Sequence, residues 1–108
     1  MKVEIWDTSG HPSFQVHLAP YCRSAKAVML VFNPSVRATF AYIQKAIQWI
    51  PYARSYLVVS HRIGWDDDVS NSEIEHFCQV AKVKWVEVSA ASGWNVHTAF
   101  SELCSGAL

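Results

Sequence analysis

Ala27-Val28-Met29-Leu30-Val31-Phe32 is a run of six apolar residues with no polar interruption. A strand with one wet face alternates apolar and polar side chains. An unbroken apolar run suits a strand covered on both faces, the state of parallel strands flanked by helices. Tyr56 to Val59 and Lys84 to Val88 are read as strands of the same kind. Between and after them, apolar residues recur at helical spacing: Phe40, Ile43, Ile47 and Ile50; then Ile74, Phe77, Cys78 and Ala81; then Val96, Ala99, Phe100 and Leu103. Pro51 is expected to end the first helix, and Ser70-Asn71-Ser72-Glu73 reads as a capping box opening the second. Strand and helix in alternation predict an open, mainly parallel α/β sheet with right-handed crossovers. Upstream, Lys2 to Trp6 alternates, with Val3 and Ile5 on one face, as a strand near a sheet edge does.

The 108 residues make one domain, 1–108, without internal repeats, low-complexity tracts or linkers. With 51% hydrophobic and 17% charged residues the chain is globular rather than disordered. Nine basic and nine acidic side chains are interspersed, which gives no electrostatic footprint for nucleic acid or an anionic membrane. Cys22, Cys78 and Cys104 have neither disulfide nor metal spacing and are expected to be buried thiols in a reducing, cytoplasmic setting. No apolar run reaches membrane-spanning length, and Cys104 is one residue too far from the end for a prenylation box. Asp66-Asp67-Asp68 is the only charge run, expected to be a solvated loop before a helix whose N-terminus favours nearby negative charge. His76 and Cys78, two apart on a helix, point in different directions and do not make a metal site.

Trp6-Asp7-Thr8-Ser9-Gly10-His11 follows the first strand, and Cys22-Arg23-Ser24-Ala25, Val31-Phe32-Asn33, Val86-Glu87-Val88-Ser89-Ala90 and Gly93-Trp94-Asn95-Val96 follow in order. This succession resembles the Ras-like small GTPases, and within them the Rab branch, over nearly the whole chain. The resemblance implies a partial P-loop small-GTPase-like fold, truncated before the second switch and lacking the phosphate-loop strand. By the same resemblance, Asp7 would orient a magnesium shell and Gly10 would read a γ-phosphate, unless the two form a simple turn. His11 stands where the family has its water-orienting glutamine, and imidazole lacks that amide's paired carbonyl and NH2. Slow hydrolysis is therefore expected, with a plain surface histidine as the alternative.

The base-reading elements depart further from the family. His61-Arg62-Ile63-Gly64 stands at the Asn-Lys-x-Asp position, and Gly64 has no carboxylate to accept from guanine. Ser89 and Ala90 match the Ser-Ala-Lys loop, whose lysine is replaced by Ala91. No glycine-rich loop with Lys and Ser or Thr occurs, the four glycines being at 10, 64, 93 and 106. Useful binding of GTP or GDP with magnesium is expected only if a phosphate loop lies upstream. Trp65 and Trp94 fall in loops beside the base site, to fill it, anchor a partner or pack. Trp6, Phe14 and Tyr21 resemble the patch by which Rab proteins meet effectors, with core packing the competing role for Phe14.

The expectation from sequence is a Rab-like protein acting through protein contacts, on vesicles or in cilia, the ciliary reading resting on likeness to Rab-like intraflagellar transport components. Its alternative is a fragment of an active Rab GTPase. The lost phosphate-loop strand would leave a gap of roughly 10 Å between Lys2–Trp6 and Val28–Phe32. A homodimer, a swapped strand or a dedicated partner is expected to fill it.

Overall fold

The computed structural model describes residues 25–50, 53–61 and 67–107. These form three strands, β1 (Ala27–Phe32), β2 (Ser55–His61) and β3 (Lys84–Val88), and three helices, α1 (Arg37–Trp49), α2 (Asn71–Ala81) and α3 (Val96–Ala107). They alternate along the chain as the sequence predicts. The sheet is parallel throughout, in the order β1-β2-β3, with Leu30 opposite Val58 and Val59 opposite Val86. Parallel neighbours need crossovers, and α1 and α2 supply them.

Strand alternation divides the sheet into two faces. Val28, Leu30, Phe32 and Val58 share a core with Phe40, Ile43, Ala46 and Ile50 of α1 and its end, and with Val69, Ile74 and Cys78 at α2. Phe40 stacks between Phe32 and Phe77, with ring centroids 5.1 and 5.6 Å away. Leu57, Val59 and Val88 pack under Ala99 and Leu103 of α3, with Ala27, Met29 and Val86 at the margin. The middle strand β2 is accordingly buried on both faces, Leu57 through Ser60 being at most 2% exposed.

β2 runs from Ser55 to His61, longer than the apolar stretch Tyr56–Val59, because its ladder continues through Ser60 and His61 against β3. α1 ends at Trp49, just before Pro51. At its end the Tyr56 hydroxyl donates to the Ile50 carbonyl and accepts from the Ala53 amide. Ser70 caps α2, its hydroxyl accepting from the Glu73 amide at 3.2 Å. The Glu73 carboxylate turns to Arg37 at 2.9 Å.

Three expectations are corrected. Phe100, read as core, is 37% exposed, because it sits on the flank of α3 while Ala99 and Leu103 point at the sheet. Cys104 is half-buried on the same helix, whereas Cys78 is buried as expected. Within the acidic run, Asp68 is exposed but serves α1, not the helix that follows it: its carboxylate accepts from the Arg37 amide at 3.2 Å. Val36, the residue before α1, gives it no side-chain cap, so this carboxylate, 31 residues downstream of Arg37, meets one of the helix's free amides. The Lys2–Trp6 strand, the gap beside it, and Cys22 lie outside the described residues.

Candidate functional site

β1, β2 and β3 point the same way, so their carboxyl ends gather on one rim, where open α/β sheets hold ligands. His61 ends β2 opposite Val88, which ends β3. The two sequence-read base elements, one starting at His61 and the other at Ser89, thus emerge side by side. His61 is half-buried.

The loop after β3 is built mostly from its own backbone. The Ser89 amide donates to the Trp94 carbonyl at 3.0 Å, closing an antiparallel bridge between these two residues. Closing so short a loop takes left-handed backbone, found at Gly93 (φ 78°) and Asn95 (φ 63°). Glycine and asparagine are the residues that reach this region at least cost. The Asn95 side chain then donates to the Glu87 carbonyl at 2.9 Å, tying the loop to β3, and the Asn95 carbonyl accepts from the Ala99 amide in the first turn of α3. Ser89 and Ser92 hydroxyls accept from the amides of Ser92 and Trp94 at 3.4 and 3.3 Å.

This frame presents Ala90 and Ala91 to solvent together with the indole of Trp94, which is 58% exposed. Trp94 is not a packing residue in the ordinary sense. From Ser89 to Asn95 no side chain is an acid or a base, so the loop offers backbone groups, hydroxyls and one aromatic surface.

At the end of β1, Asn33 organises a second turn. Its amide donates to the Thr39 hydroxyl and its carboxamide oxygen accepts from the Ser35 amide, both at 2.9 Å. The amides of Asp68 and Val69 donate to the Pro34 carbonyl at 2.9 and 3.0 Å. Arg37 joins the Asp68 carbonyl and the Glu73 carboxylate, so the β1–α1 turn and the approach to α2 are held together. Sequence reading missed this network, because nothing in the local pattern links Arg37 to residues more than thirty positions away.

Of the site residues read from sequence, His61, Ser89, Ala90 and Trp94 are placed on this rim. Trp6, Asp7, Gly10, His11, Phe14 and Tyr21 lie outside the described residues, as do Arg62, Gly64 and Trp65. Among the described residues no group of three or more His, Cys, Asp or Glu side chains could hold a metal ion. No helix among them is long and apolar enough to cross a membrane.

The parallel sheet, with helices on both faces and a serine-alanine loop after its last strand, defines a class that comparison with known proteins bears out. The Ras family model matches residues 1–108, and the chain belongs to that family. Within it, the similar proteins include Rab proteins. Mouse Ras-related protein Rab-12 and human Ras-related protein Rab-42 are each 30% identical over 110 residues. The match covers 95% of this chain in both cases, and 45% and 50% of those proteins. The putative ras-related protein Rab-5B of Dictyostelium discoideum is 26% identical, over 96% of this chain and 51% of that protein. The chain therefore spans about half the length of the curated relatives it matches.

Proposed function

We propose that this is a Rab-like member of the Ras family that acts through protein contacts in vesicular or ciliary transport, with GTP binding and hydrolysis lost or weak in these 108 residues. The observation that carries the reading is the loop from Ser89 to Asn95. It keeps a tightly bonded backbone but presents Ala90, Ala91 and an exposed Trp94. A rigid loop that holds an indole in water suits recognition of a protein surface, where tryptophan is enriched at hot spots.

The sequence supports the same reading. Guanine needs a carboxylate, and Gly64 stands at that place; the nucleotide's phosphates need amides of a glycine-rich loop with a lysine, and the sequence has no such loop. His11 in place of a glutamine adds slow hydrolysis to weak binding. In this proposal Trp6, Phe14, Tyr21, Trp65 and Trp94 serve partners. Asp7, Gly10, Ser89 and Ala90 are remnants of a nucleotide site, and His61, Arg62 and Gly64 of a base-reading one.

One observation favours a second reading. Because the chain spans about half of its relatives, it also fits as one part of a longer GTP-binding and GTP-hydrolysing Rab protein, with the phosphate loop and the magnesium shell completed by another segment.

Titration of the 108-residue chain with fluorescently labelled GDP and GTP in the presence of magnesium tests the proposal. No saturable signal is expected. Saturable binding displaced by unlabelled GTP but not by ATP would overturn it, since it would require a working phosphate site and a working base site.

A further inference from the structure

Lys26 and Arg54 stand immediately before β1 and β2, Lys84 opens β3, and Lys82 lies two residues earlier. The strands are parallel, so all four gather at the amino ends of the sheet, the rim opposite His61 and Ser89. The Lys26 carbonyl accepts from the amides of Arg54 and Ser55 at 2.9 and 3.2 Å, which sets the first two cations side by side. Lys82 holds left-handed backbone (φ 59°), and its amide closes α2 on the Cys78 and Gln79 carbonyls. Its side chain therefore leaves from a fixed point. All four residues are exposed. Arg54, Lys82 and Lys84, with Ser55 and Glu102, line a cleft of about 200 Å³. Gly106 in the last turn of α3 completes its wall, so close that a Cβ there would lie 2.5 Å from the Ser55 hydroxyl oxygen.

Charge is divided unevenly between the two rims. Four of the six described Lys and Arg residues are at this one, whereas of the six described Asp and Glu residues only Glu102 lines the cleft. Glu102 pairs with Lys84 at 3.3 Å, and among the described residues the Lys26, Arg54 and Lys82 side chains meet no carboxylate. The helices run back against the strands, so their C-terminal ends lie here too, each worth about half a negative charge. Four cations against one carboxylate outweigh them. The residues outside the described ones carry three acidic and three basic side chains, and so bring no net charge to neutralise the rim.

We propose that this cleft binds an acidic segment of a partner protein, whose Asp or Glu side chains enter between Arg54, Lys82 and Lys84. Size and shape decide the class of ligand. Pockets for small molecules and cofactors hold roughly 300–1,000 Å³. At about 200 Å³ this recess takes one or two protruding side chains instead. A lipid surface is flat and does not reach into a recess of this kind. A nucleic-acid strand needs a basic groove that tracks its backbone. The remaining described cations do not extend the cleft into one, since Lys45 is on α1 and Arg37 is tied to Glu73 at the opposite rim. Glu102 already gives Lys84 one carboxylate, and so competes with the incoming ones. The contact lies at the other end of the sheet from the Trp94 loop and does not depend on bound nucleotide.

Titrating the isotope-labelled 108-residue chain with an acetylated, amidated hexaglutamate peptide at low ionic strength, followed by amide NMR spectra, tests this. Saturable shifts are expected at Arg54, Ser55, Lys82 and Lys84, and they should vanish near 1 M salt, where the screening length is about 3 Å. Arg54→Gln should raise the dissociation constant by about two- to fivefold. Lys82→Asn, which keeps a residue suited to left-handed backbone, should do the same. Glu102→Gln should lower it by a similar factor, because it frees Lys84 from its resident carboxylate. Lys45→Gln, at an exposed lysine outside the cleft, should leave it unchanged. The proposal is overturned if no saturable binding occurs, if Lys45→Gln weakens binding as much as Lys82→Asn does, or if Glu102→Gln has no effect. Tighter binding of anionic phospholipid vesicles or of a single-stranded oligothymidylate at the same residues would equally overturn it, since the partner would then not be a protein segment.

Discussion

The indole N–H of Trp85 donates to the hydroxyl of Ser60 at 3.1 Å, joining β3 to β2 through side chains on the face that carries α1 and α2. Ser60 is 1% exposed, the one buried polar residue of the described core, and Trp85 is its hydrogen-bond partner. Ser60→Ala should cost about 1–3 kcal/mol, because the half-buried indole N–H loses its acceptor. Adding Trp85→Phe should cost less than the sum of the two single changes, since the orphaned donor disappears with it. Urea denaturation followed by circular dichroism measures both.

Asp68→Ala should destabilise by about 1 kcal/mol, as loss of a helix cap does, although the cap comes from outside its helix. Arg37→Ala should cost no more than about 1 kcal/mol, because its ion pairs lie in solvent, with about half of the Arg37 side chain exposed. A double-mutant cycle on Arg37 and Glu73 should show a small coupling that vanishes near 1 M salt, where the screening length is about 3 Å.

In the loop after β3, backbone and indole are expected to separate cleanly. Gly93→Ala places a Cβ in open space at φ 78°, so its cost is the left-handed backbone alone, about 1–2 kcal/mol. Asn95→Ala should lose about 1–3 kcal/mol through the bond to the Glu87 carbonyl and the same backbone preference. Trp94→Ala should change stability by less than about 1 kcal/mol, being a largely exposed side chain, while abolishing any partner contact that uses this loop. Thermal unfolding of the three variants gives the ranking.

Burial pushes the Cys78 thiol up to about 11 from an ordinary 9.0. At pH 8 the native chain should therefore alkylate at Cys78 far more slowly than unfolded chain, as timed mass spectrometry with iodoacetamide would show. The sign for stability follows. Below pH 9 the thiol is neutral in both states and carries no penalty. Between about pH 9 and 11 the unfolded chain ionises first, so stability falls across that window. Cys78→Ala should flatten that part of the stability profile.

The sequence by itself determined the parallel α/β architecture, the three helical stripes, the Ser70 cap and the family, because each depends on local periodicity or on the order of short motifs. Phe40, Ile43, Ile74, Ala99 and Leu103 are buried where their spacing put them. It also marked Ser89, Ala90 and Trp94 as loop residues at the carboxyl end of the sheet. The tertiary structure decided what depends on distance through space. Phe100 fits the helical stripe as well as Ala99 does, and only the direction from which the sheet meets α3 leaves it in water. Asp68 caps a helix that began 31 residues earlier, a relation set by the packing of two turns and carried by no local pattern. The exposure of Val31, within a run that reads as uniformly buried, was decided in the same way: a strand's composition records that its faces are apolar, but which face is covered depends on where the helices land.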